Sequence, residues 1–495
     1  MDLTVKTTKG PVEGFASEGI RKWFGIPFAQ PPVGPLRFKR AQEAEPWAAV
    51  RPCKVMGPSP VQFDVPIPGT VPSETPKSED CLYLNVWAPK DGAKLPVFVW
   101  IYGGANHAGE AALPEYDLSA FAREGVVGVS FNYRVGPLGF YNFKPLDASF
   151  DSNCAVSDML MALRWVHENI AAFGGDPENV TICGESAGGT AVYSLLAAPA
   201  ARGLFQKAIP MSGLAGNVTT QRTHDLNNAL FLQTLGLTEK DVGKLKDMPC
   251  EEMLKGGQAV MGLSNRVHQG IFITGPVIDD LLPAYPWEML EQGNAKDVKC
   301  LIGTCRDEGN LFCTPGMAPK SWDEVKACLE ENGIPDYLEK FQAVYGGMEE
   351  LAAAQAWATD RMFWVDAMRC ALAQSKHNTV YSYRFDFVPA LCARMGLGAT
   401  HSMDIAPALD TYASCENGFY AGTPMEAVKD IHAKMHGAFL AFVKTGDPNG
   451  AVPLTWEPFT AEKRSTMVMD DTCTVIEDSN RARFDLWEPL PQLYR

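Results

Sequence analysis

Five residues, Gly184-Glu185-Ser186-Ala187-Gly188, carry the clearest chemical signal in the chain. A serine with glycine two positions to either side can sit on a turn too sharp for side chains at those places. Val180-Thr181-Ile182-Cys183 before it has strand character, and the small and apolar residues up to Ala198 have helical character. The bare pattern arises easily by chance among 44 glycines, but its strand–turn–helix setting does not. A serine so placed lies over a helix N-terminus, whose free N–H groups favour developing negative charge. The chemistry indicated is attack by Ser186 on a carbonyl carbon and transfer of the acyl group.

Such a nucleophile needs oxyanion donors and a base. Tyr102-Gly103-Gly104-Ala105 leaves a strongly apolar strand, and its glycines let N–H groups turn toward a substrate. A serine on this kind of turn is followed in the chain by a carboxylate and then a histidine. The histidines beyond Ser186 are His224, His268, His377, His401, His432 and His436. His401 lies in the loop Leu397-Gly398-Ala399-Thr400-His401-Ser402, where an accessible imidazole is expected. For the carboxylate, Asp307-Glu308 follows the strand Val298–Gly303, and chemistry alone leaves the choice between them open. Asp279-Asp280 is a weaker candidate on the same grounds. His432 and His436 have a spacing that suits a metal, but no third ligand is evident, so a solvated helix face is expected and no metal site.

The elements that must position these groups read as alternating strands and helices. Strands are expected at Leu82–Trp87, Pro96–Tyr102, Val126–Asn132, Phe205–Met211, Val298–Gly303 and Val380–Phe385, with a hairpin of Leu3–Thr7 and Pro11–Ala16 at the start. Asp158–Phe173 has helical periodicity, and Gly174-Gly175-Asp176-Pro177 stops it. Prolines 27, 31, 32 and 35 argue against a regular helix or central strand over 24–38. The fold class expected is α/β, a mostly parallel central sheet with helices on both faces. A single domain over 1–495 is expected, with helical insertions at about 217–297, 316–376 and 405–436 that shape a cleft over the carboxyl ends of the strands.

Composition excludes several roles. The formal charge of −16 opposes nucleic acid or anionic membrane as a partner, and no apolar run is long enough to span a bilayer. The first residues, MDLTVKTTKGPVEGF, have no secretory pattern, and thirteen cysteines without one point to reduced thiols in the cytoplasm. Cys300, Cys305 and Cys313 do not repeat a zinc-ligand spacing.

Taken together, GIPFAQPPVGPLRF (25–38), SEDCLYLNVWAP (78–89), VWIYGGA (99–105), FNYRVGPLGF (131–140), ALRWVHENIAAFGGDPENVTICGESAGG (162–189), RDEGNLF (306–312), HSMDI (401–405) and KTGDPN (444–449) resemble the type-B carboxylesterases. These are the cholinesterase-like branch of the α/β-hydrolases, and the nearest likeness is to bacterial para-nitrobenzyl-esterase-like members. The resemblance implies a Ser186–His401–Glu308 triad acting on small carboxylic esters, with no cofactor. It selects Glu308 over Asp307. It implies oxyanion donors at Gly104, Ala105 and Ala187, a substrate-facing Gly103 and Asn106, and scaffold ion pairs Arg37–Glu79 and Arg134–Asp158.

The chain also departs from the family. The family's glycine run has a third glycine and an aromatic residue where this chain has Ala105 and Asn106, which should reshape the acyl side of the pocket. The family's secreted members pair a cysteine at the Cys81 position, but Gly57-Pro58-Ser59-Pro60-Val61-Gln62 offers it no partner. No tryptophan lies between Pro60 and Cys81, which argues against cation stacking on a quaternary ammonium. Two other readings are a same-fold hydrolase of amides, lactones or lipids and a non-catalytic binding relative; the latter commonly lack the serine. Phe272, Trp357, Phe363 and Trp364 are candidate pocket residues, each more simply read as core. If His401 is the base, activity should fall as pH drops through about 6.5.

Overall fold

The computed structural model describes residues 3–63, 75–267, 274–313, 317–478 and 480–490, with the side chains of 263–267 and 416–417 left aside. Its centre is an 11-stranded sheet. In chain order the strands are β1 (Phe15–Ser17), β2 (Ile20–Pro27), β3 (Tyr83–Ala88), β4 (Leu95–Ile101), β5 (Val127–Phe131), β6 (Gly175–Glu185), β7 (Lys207–Met211), β8 (Lys299–Cys305), β9 (Val380–Phe385), β10 (Thr466–Met469) and β11 (Thr474–Ile476). Across the sheet they run β11-β10-β9-β8-β7-β6-β4-β5-β3-β2-β1. Every pairing from β5 through β4 and β6 to β10 is parallel, and the outer pairings are antiparallel. This is the expected mostly parallel α/β sheet. Val97–Ile101 is fully buried, as a strand covered on both faces must be.

The central strands fall within a few residues of their expected places. The ends differ for physical reasons. Ile20–Pro27 is a paired strand despite Pro27, because the proline is its last residue and the ladder is already broken by a bulge between Trp23 and Ile26. The opening hairpin pairs only Thr4–Lys6 with Pro11–Glu13, and Phe15–Ser17 leaves it for the main sheet. β10 and β11 were not legible, being short and at an edge. The helix expected at Asp158–Phe173 starts earlier, as α1 (Cys154–Asn169), and ends in a tight turn over Ile170–Phe173. Its start is set by Asn153, whose side chain bonds both backbone groups of Val277, a distant contact.

Among the described residues, helices occur within 217–297, 316–376 and 405–436, among them Gln221–Thr234, Glu350–Thr359 and Val365–Ser375; the last of them, α2 (Met425–Thr445), runs past 436. His432 and His436 lie on the buried side of α2, not on a solvated face. The apolar stripe through Val428, Ile431, Met435 and Phe439 is wide enough at 3.6 residues per turn to take both inward. There His432 Nδ1 meets Asp410 Oδ1 at 3.2 Å and His436 Nδ1 meets the Ala408 carbonyl at 2.9 Å. Both expected scaffold pairs form. Arg37 grips Glu79 through two nitrogens, at 2.6 and 2.5 Å. Arg134 does the same to Asp158, fully buried, at 2.8 and 2.6 Å.

Candidate active site

β4, β6 and β8 run in the same direction, with Ile101 beside Gly184 and Gly303 beside Met211, so their carboxyl ends share one edge. From that edge issue the Gly103–Ala105 loop, the Ser186 turn and the Asp307-Glu308 turn.

Ser186 has φ 58° and ψ −122°, a strained conformation for any residue with a side chain. Its N–H donates to the Met211 carbonyl at 3.0 Å, and the helix Ala187–Ala197 begins directly after it. A Cβ at Gly188 would lie 2.1 Å from the Ile101 carbonyl oxygen, so only glycine lets this helix approach β4 so closely. Ala187 is the first residue of that helix, where an N–H has no intrahelical acceptor.

Gly103 faces this turn; a Cβ there would be 3.0 Å from that of Ser186. The chain then runs through Gly104 at φ 125°, Ala105 at φ 55° and Asn106 at φ 62°. Each left-handed residue with a Cβ costs about 1 kcal/mol, so the loop must be held from outside. The Ala105 methyl packs on an apolar cluster that includes Leu214, Phe312 and Phe363. Asn106 is buried, and its amide nitrogen donates to the Thr274 carbonyl at 2.9 Å, turning that nitrogen away from a substrate role.

The Glu308 carboxylate uses both oxygens. Oε1 accepts the Cys305 N–H at 2.7 Å, and Oε2 lies 2.5 Å from His401 Nδ1. Asp307 is close by but differently occupied: its Oδ2 accepts the Ala399 N–H at 2.9 Å and pairs with Arg306 at 2.8 Å. Asn310 and Leu311 add bonds to the Leu397 carbonyl and the Thr400 hydroxyl, so the acid-bearing turn and the histidine loop are laced together. Asp279 and Asp280 pair instead with Arg40.

His401 Nε2 is buried and has no hydrogen-bond partner among the described residues. It lies 3.2 Å from Oε1 of Glu185, the residue just before Ser186. Ser402, just after His401, donates to that same oxygen at 2.6 Å. The imidazole face is covered by Phe363 and Phe312, with centroids 4.6 and 5.2 Å away. Burial pulls the His401 pKa down, but Glu185 and Glu308 outweigh it and raise it from 6.5 to about 9. Burial in turn pushes Glu185 up to about 7 and Asp404, held by the Tyr383 hydroxyl at 2.7 Å, up to about 6.

Sequence reasoning did not single out Glu185, Ser402 or Asp404. The available signal was their adjacency to Ser186 and His401, which puts polar side chains beside a buried site. Phe363 touches the imidazole, whereas Trp357 packs in the core against Phe341 and Trp487, and Trp364 against Phe484. Phe272 lies outside the described residues. No cluster of metal-ligating side chains occurs among the described residues.

The profile of the carboxylesterase family matches residues 1–487. The chain belongs to the carboxylesterase family. It is a carboxylic ester hydrolase, 38% identical over 483 residues to the para-nitrobenzyl esterase of Bacillus subtilis, a match covering 96% of each chain. The phenmedipham hydrolase of Pseudarthrobacter oxydans is 32% identical, with 94% of each chain covered. Among solved structures, a thermophilic PNB esterase is similar with a TM-score of 0.89 and 35% identity, covering 98% of this chain and 100% of that one. A Geobacillus stearothermophilus carboxylesterase gives 0.84 and 34%, over 98% and 100%. The architecture is that of the α/β-hydrolases these neighbours share. No described helix of this esterase is long and apolar enough to cross a membrane.

Proposed function

We propose that the enzyme cleaves small carboxylic esters through an acyl-enzyme formed on Ser186, with His401 as base and Glu308 as its orienting acid. The carrying observation is the 2.5 Å contact of Glu308 with His401 Nδ1, which turns Nε2 toward the residue preceding Ser186. His401 Nε2 takes the Ser186 proton as Oγ attacks the ester carbonyl. The N–H groups of Gly104, Ala105 and Ala187 receive the oxyanion, each donor contributing about 3 kcal/mol to the barrier reduction. The imidazolium returns its proton to the departing alcohol, and water, deprotonated by the same nitrogen, releases the acid. Glu308 holds the tautomer with the proton on Nδ1 and balances the imidazolium charge.

On the acyl side, Ala105, Leu214, Phe312 and Phe363 form an apolar wall, which favours short or flat acyl groups. The neighbouring para-nitrobenzyl esterases support small esters as the substrate class. A cytoplasmic location accords with thirteen cysteines that form no disulfide among the described residues.

Ser186→Ala tests the reading. It should abolish hydrolysis of p-nitrophenyl acetate and covalent labelling by an organophosphate; labelling that persists unchanged places the nucleophile elsewhere. A series of p-nitrophenyl esters of rising acyl length, run beside the matching anilide, separates ester from amide preference.

A further inference from the structure

The loop from Gly104 to Asn106 holds two successive left-handed residues that are not glycine, and its conformation sets where the Ala105 N–H points. Within the loop, the Gly104 carbonyl accepts the N–H groups of His107 and Ala108, both at 3.0 Å, and the Asn106 carbonyl accepts that of Gly136 at 2.6 Å. Two side chains then reach out of the loop, and both reach the same residue. Asn106 Nδ2 meets the Thr274 carbonyl at 2.9 Å, and His107 Nε2 meets the Thr274 hydroxyl at 2.9 Å. All three residues are at least nine-tenths buried.

We propose that Thr274 is a positioning residue for the oxyanion loop, fixing Asn106 through its carbonyl and His107 through its hydroxyl. The inference rests on reading the Gly104 and Ala105 N–H groups as oxyanion donors. Thr274 is itself immobilised from the sheet side. Asn217 Nδ2 donates to its carbonyl at 3.0 Å, the backbone at Thr219 bonds that of Pro276 at 2.7 Å, and a Cβ on Gly275 would strike the Asn217 carbonyl oxygen at 2.0 Å. Residues 217–219 follow closely on β7, so the anchor runs from the central sheet to the loop. His107 suits the task because burial lowers its pKa to about 4, leaving a neutral ring at working pH to share one proton with a hydroxyl. Rotating Asn106 out of that region would swing the peptide planes beside Ala105 and misdirect its N–H.

The test uses the full chain with p-nitrophenyl acetate as substrate and an aryl trifluoromethyl ketone as probe, whose hemiketal with a serine carries the oxyanion. Asn106→Gly keeps the left-handed backbone easy but removes the amide; Thr274→Val removes the hydroxyl; Thr274→Ser keeps it. Asn106→Gly and Thr274→Val should lower kcat at least about tenfold with KM changed less than about twofold, and weaken the ketone by a similar factor. Thr274→Ser should restore both. Wild-type kcat in Asn106→Gly overturns the proposal, as does a loss of kcat with ketone affinity unchanged. Should Thr274→Val fail to fold, Asn106→Gly decides alone. Ser186→Ala run in parallel must lose the ketone's tight binding; if it retains it, the serine reading falls and takes this one with it, whereas an inert Asn106→Gly beside a dead Ser186→Ala removes this one only.

Discussion

The Ser402 hydroxyl donates to Glu185 Oε1 at 2.6 Å, joining the neighbour of the proposed base to the neighbour of the proposed nucleophile. The same oxygen lies 3.2 Å from His401 Nε2, so the imidazole sits between two carboxylates, Glu185 on one nitrogen and Glu308 on the other. Either charge stabilises the imidazolium. The unperturbed value of 6.5 therefore does not describe this ring, whose pKa is raised to about 9.

A pH dependence follows. The base must be neutral, so kcat/KM should fall as pH drops through a midpoint above 6.5 rather than at it. Glu185→Gln removes one negative charge beside Nε2, so the pKa of His401 falls and the acid limb moves to lower pH. A profile of kcat/KM from pH 5 to 10 checks this. A limb that stays in place in Glu185→Gln would mean that the Glu185 charge does not set the pKa of His401.

Glu308→Gln keeps the shape but loses the charge and one acceptor. The Cys305 N–H needs the amide oxygen, which turns the amide NH2 toward His401 Nδ1 and demands the wrong tautomer. We expect kcat to fall about a thousandfold or more, with KM little changed, in steady-state assays. Asp307→Asn beside it is the control, because Asp307 holds backbone rather than imidazole. Its loss should stay within about tenfold.

Much of this site was legible because its parts are local. The Ser186 turn has a fixed pattern of small residues, and the buried parallel strands announce themselves as apolar runs. What was not legible depends on distant chain meeting distant chain. Ser402 and Glu185 are far apart in sequence, and nothing in either stretch says that they share a hydrogen bond. The sequence points His432 and His436 to solvent because two polar residues beside an apolar stripe fit either side of a helix; Asp410 and Ala408 decide the matter. Ile20–Pro27 was hidden by its proline, although a proline that ends a strand forfeits no ladder bond.

Gly398 tests how tightly the histidine loop is held. It has φ 66°, and a Cβ there would lie 2.2 Å from Asp307 Oδ2. Gly398→Ala must therefore push away the carboxylate that bonds the Ala399 N–H, two residues before His401. We expect a destabilisation of about 1–3 kcal/mol, read as a lower denaturant midpoint at unchanged slope. Activity per folded molecule should also fall. Adding Asp307→Ala makes room for the methyl, so the double variant should regain part of the stability lost. Strictly additive losses would show that the clash is not what destabilises the loop.

The proposed acyl wall includes the Ala105 methyl, which packs with Leu214, Phe312 and Phe363. Ala105→Gly removes a left-handed penalty of about 1 kcal/mol but adds about 0.5–1 kcal/mol of unfolded-chain entropy, so stability should hardly change. In the proposed reading the space gained lies on the acyl side, where one methylene is worth about 1–3 kcal/mol in a fitted apolar pocket. The ratio of kcat/KM for p-nitrophenyl butyrate over acetate should rise about tenfold. Phe363→Ala opens the same wall but uncovers the imidazole, whose ring it faces at 4.6 Å. That variant should shift the ratio in the same direction while losing kcat on every ester, as water reaches His401. If Ala105→Gly leaves the ratio unchanged while Phe363→Ala raises it, the acyl group lies against the aromatic part of the wall and clear of the oxyanion loop.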